Sequence, residues 1–125
     1  MYSLGVRREF TARHYLTGGD WGEENIEHSH SYRLELVLRK KTLDRHGFLV
    51  DIVEVERHMD EITDEFQGKV LNTLPAFEDK NPSIERLATL IHDLLKTRFH
   101  SFRLEDLTVT IREDDIAWTS YHASF

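Results

Sequence analysis

The sequence predicts an α+β fold: an antiparallel four-stranded sheet carrying two helices on one face. Three observations lead there. Apolar and polar residues alternate in two runs before residue 40, apolar residues recur every three or four positions in two runs between residues 51 and 98, and alternation returns in two short runs at the end. The predicted order is β-β-α-α-β-β. At 125 residues, 39% hydrophobic and 10% aromatic, the chain fits one domain, 1–125, with a core of its own.

The first strand is read over residues 6–16, where Phe10, Ala12, His14 and Leu16 share one parity and so one face. Residues 17–27 are rich in Gly, Asp, Glu and Asn and read as a loop, with Trp21 a packing residue. In the second strand His28, His30, Tyr32, Leu34, Leu36 and Leu38 line one face, and Ser31, Arg33 and Glu35 the other. Asp51 opens the first helix with Glu54 three residues on, as in a capping box, and Ile52, Val55, Met59, Ile62 and Phe66 form its apolar stripe. The acidic residues of its far face read as solvation. After Gly68 and a loop over 72–81, Asn81-Pro82-Ser83 opens a second helix whose stripe is Ile84, Leu87, Ala88, Ile91, Leu94 and Leu95. Leu107, Val109 and Ile111 mark a third strand. A turn at Asp114-Asp115 leads to a fourth over 117–125, with Trp118 again read as packing.

Composition narrows the function. A net charge of -7 with 31% charged residues offers no basic field for nucleic-acid phosphates. The N-terminal MYSLGVRREF lacks the apolar run of a signal peptide, and no stretch reaches the length of a membrane span, so the expected location is the cytoplasm with no membrane partner. With no cysteine, histidine and carboxylates are the ligands left for a borderline-soft metal.

His28-Ser29-His30 places two imidazoles on the same side of a strand, a spacing that chelates one ion and that also arises by chance among eight histidines. His14, on the buried parity of the preceding strand, would complete a three-histidine Zn2+ site with one open position if a hairpin brought it opposite the pair. Glu113 continues the inward parity of the third strand, where an unpaired carboxylate is costly; it either meets a ligand's N–H donors or opens an exposed acidic turn. Glu85 suits the first turn of a helix whatever its function. His46, His58, His92, His100 and His122 are read as surface residues.

Together these residues resemble the 6-pyruvoyl-tetrahydropterin synthase family, including the 6-carboxytetrahydropterin synthases of queuosine biosynthesis, over essentially the whole chain. The matching pieces are Phe10-Thr11-Ala12-Arg13-His14, His28-Ser29-His30-Ser31-Tyr32, Gly47-Phe48-Leu49-Val50-Asp51, Leu71-Asn72, Asn81-Pro82-Ser83-Ile84-Glu85-Arg86-Leu87-Ala88 and Ile111-Arg112-Glu113. The resemblance implies a tunnelling fold, in which trimers close a barrel and stack into hexamers with sites between subunits. It implies Zn2+ on His14, His28 and His30, Glu113 as the carboxylate that anchors the pterin, and Ser83 and Glu85 in the pterin-pocket segment.

The chain also departs from the family. Glu24 stands where the family has its catalytic cysteine, with Glu23 and Glu27 close by, and a desolvated glutamate near a metal site serves as a general base. Gln67-Gly68 replaces the usual Asp-His, and Ser29 the glycine between the zinc histidines. The implied activity is a zinc-dependent carbon-oxygen or carbon-carbon lyase on 7,8-dihydroneopterin triphosphate or a related pterin, with Glu24 as base. Two other readings stay open: a pterin- or purine-binding paralogue that lost the proton-transfer residues, and a zinc hydrolase using Glu24 or Glu27.

Overall fold

The structure, a computed structural model, describes residues 1–125. Its elements are β1 (Tyr2–His14), β2 (His28–Lys40), α1 (Ile52–Phe66), α2 (Ile84–Arg98), β3 (Asp106–Glu113) and β4 (Ala117–Ser124), with short 3-10 turns in the connections. The strands form one antiparallel sheet in the order β1-β2-β3-β4. α1 lies on β1 and α2 on β3 and β4, so both helices cover the same face, as the sequence predicts. No helix is long and apolar enough to cross a membrane.

The sheet's pairing follows from its side-chain parity. Leu34, Leu36 and Leu38 stand opposite Ile111, Val109 and Leu107, and all six are fully buried. Each such side chain contributes roughly 1.5 to 3 kcal/mol on leaving water. A one-residue slip would turn the whole row to solvent, so this register is strongly fixed. The helices close the core with Val55, Met59, Ile62 and Phe66 from α1 and Leu87, Ala88, Ile91 and Leu95 from α2. On the opposite face, β1, β2 and β3 carry Arg7, Glu9, Arg33, Glu35 and Arg112.

Several sequence expectations are corrected. β1 begins at Tyr2 and ends at His14, so Leu16 lies beyond it. Ile52 is 46% exposed: it is the first residue of α1, whose buried stripe begins only at Val55. Asp51 does cap that helix, accepting from Val53 N, but Glu54 pairs with Arg57 and leaves the capping box half made. Residues 17–27 contain a 3-10 turn, Gly22–Asn25. Trp21 and Trp118 are exposed and pack into no core. His92, read as a surface residue, is buried: β4 crosses α2 and lays the Tyr121 ring 4.9 Å from it.

Candidate metal centre

The β1–β2 register builds the site. His14 stands opposite His28, and Ala12 opposite His30, so all three imidazoles emerge at one end of the sheet on the helix-covered face. The next row inward, Phe10, Tyr32 and Glu113, forms the floor, with Phe10 and Tyr32 stacked at 5.2 Å.

Each imidazole is held by its Nδ1. His14 Nδ1 lies 3.2 Å from Pro82 O, His28 Nδ1 lies 2.7 Å from Ile26 O, and His30 Nδ1 lies 2.7 Å from Asp114 Oδ2. All three partners are acceptors, so each Nδ1 donates its proton and each Nε2 presents a lone pair. The rings are 4.6 to 4.8 Å apart and steeply inclined to one another, which aims the three Nε2 atoms at a common point. All three Nε2 atoms are buried without a hydrogen-bond partner. Burial also lowers the pKa of His14, which keeps it in the neutral, ligand form.

Two carboxylates face the same point. Glu24 Oε2 is 2.8 Å from His28 Nε2 without hydrogen-bond alignment, and the ligand atoms of His14, Glu24, His28 and His30 all lie within 4.8 Å of one another. Glu113 Oε1 lies 3.6 Å from His30 Nε2, and burial raises the pKa of this carboxyl. Three lone pairs and two carboxylates turned toward one another repel unless a cation lies among them, so the donor set fits a divalent metal with nitrogen and oxygen ligands.

The surrounding chain fixes these positions. Residues 15–17 are zipped on both sides: Asn72 bonds Tyr15 N and O, Asn81 bonds Thr17 N and O, Leu16 N donates to Glu24 O, and Asn25 Nδ2 donates to Leu16 O. Thus Leu71-Asn72 and Asn81-Pro82 hold the loop that carries Glu24, and Pro82 also orients His14. Ser83 follows immediately and caps α2 by accepting from Arg86 N. Glu85 is exposed and is not among the grouped ligands. Gln67 points elsewhere: its amide bonds both the backbone N and the hydroxyl of Thr11. Gly68, at a φ of 71°, donates to Thr11 O. The sequence reading missed Asp114, taken there for a turn residue; it reaches His30 from 84 positions away, and local sequence carries no signal of that contact.

Several solved structures share this fold. A 6-pyruvoyl tetrahydropterin synthase from Caenorhabditis elegans matches with a TM-score of 0.83 at 20% identity, over 98% of this chain and 96% of that one. The enzyme of the same name from Plasmodium vivax matches with a TM-score of 0.83 at 15% identity, over 99% and 98%. A P. vivax variant, described as a catalytic-residue mutant with alanine in place of a glutamate, matches with a TM-score of 0.79 at 14% identity, again over 99% and 98%. The family model for 6-pyruvoyl tetrahydropterin synthase matches residues 3–124. With the match running over nearly its whole length, the chain belongs to the 6-pyruvoyl tetrahydropterin synthase family.

Proposed function

We propose that this protein is a zinc-dependent lyase acting on 7,8-dihydroneopterin triphosphate or a closely related pterin. The observation that carries the reading is the convergence of three buried, unpartnered Nε2 atoms, each with its Nδ1 held by an acceptor. His14, His28 and His30 hold the ion. Zinc supplies Lewis acidity there, stabilising negative charge that develops on the substrate's side-chain oxygens.

The remaining steps belong to the chain's own residues. Glu24 takes the proton from the substrate side chain. Its carboxylate lies beside His28 on a loop anchored through Leu16 and Asn25, and the P. vivax relative has a glutamate as its catalytic residue by its own description. Glu113, half-buried opposite Tyr32, accepts from adjacent N–H donors of the pterin ring and orients it. Ser83 keeps a hydroxyl proton to donate while its oxygen caps α2. Glu85, exposed on the first turn of α2, serves a site shared with a neighbouring subunit of a trimer or hexamer.

The test is incubation of the zinc-loaded protein with 7,8-dihydroneopterin triphosphate, with products followed by mass spectrometry. Multiple turnover is expected from the wild type and none from His28→Ala. Glu24→Gln should lower turnover by at least about 100-fold while the metal content stays at the wild-type level. Product mass separates carbon-oxygen from carbon-carbon cleavage.

One observation favours a second reading. Gln67 has its whole amide engaged by Thr11, and Gly68 has no side chain, so neither can relay a proton. A paralogue that binds pterin without turning it over would retain the ligand on the zinc-loaded protein and give no product.

A further inference from the structure

We infer that Asp114 is a positioning residue for the metal centre, a carboxylate whose contact with His30 fixes that imidazole for ligation and strengthens it as a donor. This rests on the reading of His14, His28 and His30 as metal ligands. The three tethers differ in kind. His14 and His28 give their Nδ1 protons to the neutral carbonyls of Pro82 and Ile26, whereas His30 gives its proton to a carboxylate 2.7 Å away. A charged acceptor makes the stronger hydrogen bond and pushes more electron density toward the opposite ring nitrogen.

The carboxylate is itself held in place. Asp114 Oδ1 accepts from Ser31 N at 2.9 Å while Asp114 N donates to Ser31 O at 2.7 Å, so the turn after β3 grips the residue next to His30 by backbone and side chain together. Asp114 adopts a φ of 50°, a conformation that aspartate and asparagine tolerate better than most residues. A turn requirement alone would be met by asparagine. Here Oδ1 accepts from Ser31 N and Oδ2 from His30 Nδ1, and in asparagine one of these two positions is an NH2 group, which cannot accept. The turn thus explains the backbone, and only the contact with His30 explains the acid.

Asp114→Asn separates the two accounts. Zn2+ affinity of the full chain is measured by competition with a chromophoric chelator for the wild type, Asp114→Asn, Asp114→Gly and His28→Ala. Both Asp114 variants should bind Zn2+ about 10- to 100-fold more weakly than the wild type. Glycine accepts the positive φ freely, so its loss of affinity cannot be laid to a strained turn. Nitrogen-15 NMR of the metal-free protein should show the His30 ring as the Nδ1–H tautomer in the wild type and a changed tautomer balance in Asp114→Asn, a signature that loss of turn stability alone would not produce. Affinity within threefold of the wild type in either variant overturns the inference while leaving the metal centre intact. Wild-type protein that binds Zn2+ no better than His28→Ala overturns the metal centre itself, and the inference with it.

Discussion

His58 shows how one side chain carries a pH dependence. It lies on α1 against Phe99 and Phe102, with the guanidinium groups of Arg57 and Arg98 at its two ring nitrogens and Glu54 and Glu61 nearby. Burial comes first and the two arginines second in pushing its pKa below the ordinary 6.5, against a smaller opposing pull from the glutamates. A folded-state pKa below the unfolded one means that the folded chain resists protonation. The contribution is therefore whole above about pH 6.5 and lost as pH falls through the lowered value. Urea unfolding of wild type and His58→Gln, both in chelator, should show the wild type losing more stability than the variant between pH 7 and pH 5. Parallel pH profiles would mean that His58 stays solvated.

The loop leaving β1 is held by asparagines that imitate a strand. Asn72 Oδ1 accepts from Tyr15 N at 3.0 Å and its Nδ2 donates to Tyr15 O at 2.8 Å, the pair of bonds an adjacent strand would supply. Asn72→Ala removes both and should cost about 2 kcal/mol, read as a lower urea midpoint with unchanged slope. The elements themselves were legible in the sequence because a sheet with one buried face writes its parity into every strand: Phe10, Ala12 and His14, or Leu34, Leu36 and Leu38, need no partner to be recognised. The three histidines of the candidate metal centre were legible for the same reason, since they extend those rows. What stayed hidden depends on contacts between distant elements. His92 is buried where β4 packs on α2, and Asp114 meets His30 through the β2–β3 register. A window of sequence contains neither of these.

At the scale of the whole molecule, the sheet has two unclosed margins. The outward side of β1 is covered near its end, where Thr11 and Arg13 bond the segment from Gln67 to Lys69, and carries no strand partner from Tyr2 to Phe10. β4 pairs only with β3. Bare strand margins of this length invite pairing with another copy, which fits the barrel-forming assembly proposed for the chain. Because Thr11 and Arg13 direct their N–H groups outward, alternation along β1 directs those of Glu9 and Arg7 outward as well. Arg7→Pro therefore removes a donor from the outer margin and none from the ladder with β2. Sedimentation should show the wild type as a trimer or larger and Arg7→Pro as a monomer with unchanged far-ultraviolet circular dichroism; an intact oligomer would mean that subunits join elsewhere.

The three imidazole tethers also bear on how a metal centre at this place would be loaded. Pro82, Ile26 and Asp114 grip their rings through contacts of the protein's own, and the 24-residue apolar core lies inward of them. A chain whose core and ring orientations rest on its own contacts would need no ion in order to fold, unlike small zinc modules that collapse only around theirs. The metal that such a preformed site took up would then follow from which ions the compartment makes available.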